Sequence, residues 1–324
     1  MNKQTLSELG ERRVVRQIQK LLSDKGIGDD CAFIPWGREY LLATTDAITI
    51  RTHLPWRSPR AWGWHVAAVN LSDIASKGGE PVGLLLSLLL PRETGANIVL
   101  DIMKGARDCC SRYGTRVIGG DTKEGAEICL IGTALGRMPR GEFMPRAGAR
   151  PGDMLGLTGE LGAAAAGFLM LRGEAGKVAR GLRGPPSRLL LPLPRVAEGR
   201  AAARTRKVHA STDLSDGLSA SVHQLCEASG TGAEIHWDAL PVSRSLKRIG
   251  MASEDWVMHF GGDYELLMAV RPDGWDPVQN AVEKAGTRFS MVGRVTKART
   301  VSLAGPGWTK PLKYGGWEHF RKME

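Results

Sequence analysis

The sequence predicts a two-domain α/β protein, on three observations. Its 324 residues suffice for two buried cores. Short apolar or β-branched runs alternate with segments of helical periodicity through both halves, the pattern of mixed strand and helix layers. The turn-rich stretch Arg146-Ala147-Gly148-Ala149-Arg150-Pro151-Gly152-Asp153 separates the halves, so residues 1–145 and 146–324 are expected to be the two domains.

In the first half, Leu6, Leu9, Val14, Ile18 and Leu21 stand near helical spacing, which predicts an amphipathic helix over 4–22. Lys25-Gly26-Ile27-Gly28 ends it. Tyr40 to Thr45 reads as a short strand that delivers Asp46 at its end. Ser58-Pro59 is a helix start, with serine as N-cap and proline in the first turn, and Gly78-Gly79 is the stop. On that helix Asn70, Asp73 and Lys77 fall at i, i+3 and i+7 and share a face. A buried strand follows over Pro81 to Leu90, then a helix over Asn97 to Tyr113. Thr115 to Ile118 is a strand ending in Gly119-Gly120-Asp121, and Glu127 to Leu135 is another.

The second half reads as a strand over Met154 to Thr158, a helix over Gly162 to Leu171 and a helix near Arg195 to Arg204. Val208 to Thr212 is a strand running into Asp213. A helix over Ser219 to Ala228, a strand over Glu265 to Val270, a helix near Pro277 to Ala285 and a strand near Phe289 to Val295 complete it.

Composition removes several classes of function. The longest strongly apolar run, Val82 to Leu90, is too short to cross a bilayer as a helix. The N-terminus lacks an apolar signal core, so a cytoplasmic location with no membrane partner is expected. The five cysteines contain no Cys-x-x-Cys pair, which argues against zinc and against a disulfide scaffold. The chain carries a net charge of +10, and residues 172–207 hold most of that excess. No aromatic interleaves that basic segment, and glycines and prolines break it. It reads as a solvated surface or a rim attracting anionic substrates, and nucleic acid is disfavoured.

Against that basic background, seven aspartates sit in five turn-like motifs. These are Gly28-Asp29-Asp30, Thr44-Thr45-Asp46, Asn70-Leu71-Ser72-Asp73, Gly119-Gly120-Asp121-Thr122 and Asp213-Leu214-Ser215-Asp216-Gly217. Any one aspartate alone reads more simply as a helix cap or turn residue. Several at the ends of strand-like stretches point to one site built from many segments. Carboxylates gathered together repel unless a hard cation holds them, and Mg²⁺ is commonly shared between carboxylates and substrate phosphates. The glycines before Asp121 permit close backbone approach to a phosphate. No P-loop pattern is present, so a nucleotide would be held chiefly through metal. Arg146 reads either as a phosphate ligand or as a surface arginine. His53 taken alone reads as structural; either aspartate of the 213–217 motif reads as an N-cap, or the pair as holders of a second metal at a helix N-terminus facing phosphate.

Taken together, these motifs resemble the thiamine-monophosphate kinase family, within the superfamily of aminoimidazole ribonucleotide synthetase and selenophosphate synthetase. The likeness runs over nearly the whole chain and includes Ala149-Arg150-Pro151-Gly152-Asp153 and Asp263-Tyr264-Glu265-Leu266-Leu267. It implies a two-domain aminoimidazole ribonucleotide synthetase-like fold whose N-terminal domain builds a homodimer. The implied activity is ATP-dependent phosphorylation of thiamine monophosphate to thiamine diphosphate. By the resemblance, several magnesium ions would be served by Asp30, Thr44, Thr45, Asp46, Asp73, Asp121, Asp213 and Asp216, with Asp46, Asp121 and Asp213 central to catalysis. Tyr113, Gly120, Asp121, Arg146 and Ser215 would contact ATP. His53 and Trp317 would contact the acceptor.

One position departs from the family. The family reads Gly-Gly-Glu-Asp-Tyr-Glu-Leu where this chain reads Gly261-Gly262-Asp263-Tyr264-Glu265-Leu266, so a substrate-contacting glutamate is replaced by Gly262 or deleted. Two other readings therefore stand beside the first. One is a paralogous ATP- and magnesium-dependent kinase or ligase-like enzyme for a different small molecule. The other is a nucleic-acid-binding protein using residues 172–207.

Overall fold

The computed structural model describes residues 4–22, 27–50, 58–175 and 185–320. In the first half, α1 (Leu6–Leu9) and α2 (Glu11–Leu22) precede β1 (Ala32–Trp36), β2 (Glu39–Thr49) and α3 (Pro59–Ser76). Next come β3 (Glu80–Leu90), α4 (Ala96–Arg112), β4 (Val117–Glu124) and β5 (Cys129–Pro139). The strands make one sheet in the order β1-β2-β5-β3-β4, antiparallel except where β3 meets β4.

The second half contains β6 (Met154–Thr158), α5 (Ala163–Leu171), α6 (Pro185–Leu190), α7 (Val196–Arg204), β7 (Val208–Asp213) and α8 (Leu218–Ser229). It continues through β8 (Gly232–His236), α9 (Arg244–Ile249), β9 (Leu266–Val270), α10 (Trp275–Lys284), β10 (Phe289–Thr296), β11 (Val301–Gly305) and β12 (Trp308–Pro311). Its sheet runs β12-β11-β8-β10-β6-β9-β7, and among the described pairs only β8 with β11 is parallel.

The sequence reading needs correction at three elements. The helix expected over 4–22 is two helices, because Gly10 takes φ 72° and ends α1. Asp46 is not at a strand end: β2 runs on to Thr49, with Asp46 opposite Gly132. Asp121 also lies within a strand, because Gly119, Gly120 and Asp121 pair with Leu85, Leu86 and Ser87 of β3. A neighbouring strand that offers a continuous row of backbone partners extends pairing past a Gly-Gly signal that otherwise reads as a turn. With sheets this largely antiparallel, the strand-end rule reaches Asp213 alone of the three.

Helix α3 sits between the two halves. It packs on α4 and β5 on one side and on α7 and β7 on the other. Thirteen of its residues are buried, among them the polar Asn70, Ser72 and Ser76. Its close approach to α4 depends on Gly63 and Gly105, where a Cβ would overlap the carbonyl oxygens of Ile102 and Arg60 respectively. Apolar cores lie on both sides of α3: Leu42, Val66, Leu71, Leu84, Ile102 and Leu130 under the first sheet, and Leu155, Leu157, Leu218, Val222 and Ile235 under the second. A third cluster around Met268, Val278 and Phe289 closes α7 and α10 over the second sheet.

Candidate active site

Pleating decides which side chains of β2 enter the site. Successive strand residues point to opposite faces. Thr44 and Asp46 turn toward α3, and the Thr44 hydroxyl donates to Asp73 Oδ2 at 2.6 Å. The Asp46 backbone N–H donates to Asn70 Oδ1 at 3.2 Å, and Asn70 is itself held by donating to the Val66 carbonyl at 2.8 Å. Thr45 faces the other way, donating to the Gly132 carbonyl at 2.9 Å, and is not brought to this group by its side chain.

Asp30, Asp73 and Asp213 converge, each with a carboxylate oxygen within 4.8 Å of the others. They come from the loop before β1, from α3 and from the end of β7. Hydroxyls fix each one. Ser72 donates to Asp213 at 2.5 Å, Ser76 to Asp30 at 2.9 Å and Thr212 to Asp30 at 3.0 Å.

Two cations hold the loop carboxylates. Lys77 Nζ is fully buried, 2.7 Å from Asp29 and 2.8 Å from Asp30, and it donates to the Ser211 carbonyl at 2.6 Å. Arg146 pairs with Asp30 through its guanidinium, donates to the Gly28 carbonyl at 2.8 Å, and offers its backbone N–H to Asp29 at 2.8 Å.

The remaining carboxylates are buried against one another and resist being ionised together. Burial, then the neighbouring Asp46 and Asp213, pushes Asp73 well above the usual carboxylate range. Burial and Asp30 push Asp213 up to about 7. Asp46 is raised by burial, with Asp30 adding repulsion and a hydrogen bond with Asp73 opposing it. For Asp30, burial works upward, but Arg146 and Lys77 outweigh it and its acidity is strengthened. The donor set is therefore all oxygen, anionic and short of positive charge, which suits a hard divalent ion. The neighbouring Cys31 offers no thiolate, since burial and Asp73 push its thiol well up.

Asp216 stands beyond the trio, beside the C-terminal segment. Burial and then Glu11 push it to about 7. Its carbonyl accepts from the Trp317 N–H at 3.2 Å, so Trp317, 36% exposed, is placed next to it. Ser215 is exposed, and its carbonyl accepts from the Gly262 N–H at 2.8 Å. Gly262 has φ 93°, and a Cβ there would meet Ala164 at an ordinary 3.6 Å. Backbone conformation, not space, is what disfavours a glutamate at that position.

Asp263, after Gly262, accepts from the Gly162 and Ala164 N–H groups at 2.6 and 2.9 Å and so caps α5 from a distance. Glu265 binds Arg195 and accepts from the Thr158 hydroxyl at 2.7 Å. Both acids of that motif are occupied structurally.

Other expected residues lie elsewhere. Tyr113 ends α4 beside a cavity of about 370 Å³, lined also by Arg112, Pro194, Arg195 and Glu198 from the two halves of the chain. Gly120 and Asp121 are on the edge strand β4. Asp121 has a 59% exposed side chain with Lys123 at 4.0 Å, and a single chain does not bring it to the carboxylate trio. His53 lies outside the described residues. Sequence reasoning gave no role to Lys77, Ser72, Ser76 or Glu11. The signal for the first three was present: polar residues recurring on one face of a helix otherwise built of Ala, Val, Leu and Ile.

Comparison with known proteins bears on the whole arrangement. Residues 28–138 match the AIR synthase related protein, N-terminal domain, and residues 150–305 match the AIR synthase related protein, C-terminal domain. The chain is 32% identical over 320 residues to the thiamine-monophosphate kinase of Aquifex aeolicus, covering 97% of this chain and 99% of that one. It is 32% identical over 332 residues to the thiamine-monophosphate kinase of Synechococcus elongatus, covering 99% of each. It superposes on the solved structure of AaThiL complexed with AMPPCP and TMP with a TM-score of 0.87 at 30% identity, over 98% of this chain and 100% of that one. The hydrogenase maturation protein HypE of E. coli shares the fold, with a TM-score of 0.70 at 22% identity over 85% of each chain.

Proposed function

The chain belongs to the thiamine-monophosphate kinase family of AIR synthase related proteins, and from that premise we propose that it phosphorylates thiamine monophosphate with ATP, giving thiamine diphosphate. The observation that carries the reading is the Asp30–Asp73–Asp213 trio, set in a scaffold that superposes over nearly its whole length on a structure holding an ATP analogue and TMP.

Both substrates bring phosphate groups, so the reacting region concentrates negative charge. Mg²⁺ would neutralise that charge and bridge the phosphates to the protein. Asp30, Asp73 and Asp213 would hold it, with Thr44, Asp46 and Asp216 at its margin. Lys77 and Ser76 keep Asp30 directed into the trio, and Ser72 does so for Asp213. Arg146, paired with Asp30 and the Gly28 carbonyl, would serve as the nucleotide's phosphate contact. The acceptor phosphate is already largely ionised near neutral pH, so transfer is direct and needs no general base. Trp317 offers an aromatic face to the acceptor's ring beside Asp216.

The first sheet supports a homodimer. Helices cover one face of it. Cross-strand partners Gly83–Leu135, Leu85–Thr133 and Ser87–Ile131 lie on the other, where Leu85 and Ile118 are exposed. A second copy of this chain would bury that face. A cytoplasmic site of action fits an ATP-consuming activity, and no described helix is long and apolar enough to cross a membrane.

Incubation of the purified protein with Mg²⁺-ATP and thiamine monophosphate, followed by chromatography for thiamine diphosphate, tests the function. Absence of product from a folded preparation that binds ATP would overturn it.

A further inference from the structure

Helix α2 buries none of its side chains, yet it touches two separate parts of the site. Gln19 Nε2 donates to the Ile27 carbonyl at 3.2 Å, at the base of the Asp29–Asp30 loop. At the other end of the helix, Glu11 Oε2 accepts the His319 N–H at 2.9 Å. Arg12 stacks 3.7 Å over the Tyr314 ring and pairs with Glu227 at 2.7 Å, where Arg16 joins at 3.1 Å. The segment from Lys313 to His319 is thus held on one side by α8, through Ser219 donating to the Lys313 carbonyl at 2.9 Å, and on the other by α2. Trp317 lies between these tethers, with its N–H on Asp216 and its ring 5.7 Å from that of His319.

We propose that Glu11 is a positioning residue for the acceptor end of the site: through the His319 N–H it fixes the segment that presents Trp317 beside Asp216. This rests on the reading of Trp317 as the acceptor's stacking partner. Past the Leu312 N–H bond to the Val301 carbonyl at 2.9 Å, the loop that carries Trp317 has no strand pairing of its own, so losing the Glu11 contact loosens its far end, beyond the Ser219 and Asp216 contacts, and the aromatic face is less firmly placed. Glu11 touches neither substrate nor metal in this role. It acts as a hydrogen-bond acceptor, and the neighbouring Arg12 contacts keep the helix in register.

Two variants of the full chain test it, Glu11→Ala and Glu11→Gln. Alanine removes the acceptor, and glutamine keeps an acceptor oxygen without the charge. With Glu11→Ala, the KM for thiamine monophosphate should rise about tenfold while kcat and the KM for ATP stay within about threefold. Amide exchange of the 313–320 segment should quicken while the rest of the chain keeps its protection. Glu11→Gln should recover most of both. Unchanged exchange at 313–320 in Glu11→Ala would overturn the proposal. So would a Glu11→Gln variant as impaired as the alanine form, since charge rather than the hydrogen bond would then be at work. Should the wild-type chain not phosphorylate thiamine monophosphate, the acceptor reading fails, and the exchange experiment still decides whether Glu11 tethers the segment.

Discussion

Lys77 Nζ stands 2.7 Å from Asp29 Oδ1 and 2.8 Å from Asp30 Oδ2, with none of its side chain exposed. Its third hydrogen goes to the Ser211 carbonyl on β7. One ammonium group at the end of α3 therefore ties the carboxylate loop to the second sheet. Burial alone would lower its affinity for a proton, but Asp30 and Asp29 more than reverse that, and it stays charged.

Replacing Lys77 by methionine, similar in length but neutral, leaves Asp29 without its cation and Asp30 with Arg146 alone. Breaking a buried ion pair from one side costs about 3–5 kcal/mol. Urea unfolding of Lys77→Met should show a loss of that size, with an unchanged slope. A loss below about 1 kcal/mol would mean that the carboxylates relax to solvent.

Asp46→Asn keeps the shape of the side chain and removes one charge from a crowded group. Stability should hold or rise slightly, because Asp46 repels its neighbours. Turnover should fall by about a thousandfold, the effect of losing several kcal/mol of metal-borne charge stabilisation. Activity near that of the wild type, in a variant with an unaltered melting curve, would remove Asp46 from the metal site.

The pH dependence has a definite sign. Asp213 and Asp216 are raised from 3.8 to about 7, the first by burial and Asp30, the second by burial and Glu11. Their neutral forms favour the folded state. In metal-free protein that contribution is complete below about pH 4 and is lost as pH climbs through about 7. A divalent ion binds the ionised forms and so competes with protons. Thermal melts with and without MgCl₂ should show a larger magnesium-induced rise in Tm at about pH 8 than at about pH 6. An equal or larger rise at the lower pH would contradict the assignment of these carboxylates to the metal.

Leu85→Glu places a charge in the exposed apolar face of the first sheet, opposite Thr133. Light scattering should find the wild-type chain as a dimer and the variant as a folded monomer. A wild-type chain that is monomeric at micromolar concentration, or a variant that remains dimeric, would dismiss this face as the interface.

Much of the fold was legible because long periodic segments declare themselves. α3 and α4 were expected within a residue or two of where they begin and end. Short strands without a strong pattern, β1, β8, β11 and β12, were not read, since their pairing is set by distant partners. The aspartates were legible as a group, but the face each one uses was not. Pleating sends Thr44 and Asp46 one way and Thr45 the other, and that follows only once β2 is known to continue to Thr49. Asp121 read like the rest, yet it lies on an edge strand whose side chains face outward. Lys77 was placed on one helix face with Asn70 and Asp73, but only the packing of β7 across α3 makes it a buried counter-ion.

Ser72 and Asp213, hydrogen-bonded at 2.5 Å, are 141 residues apart in the chain. Asp30, Asp73 and Asp213 likewise come from widely spaced segments. An ion that ligates all three binds the folded chain and not the unfolded one, so it acts as a reversible clasp whose stabilisation grows with free ion concentration. Chelation would then loosen the seam between the two sheets as well as halt chemistry. Resistance to proteolysis would track free magnesium even when no nucleotide is present.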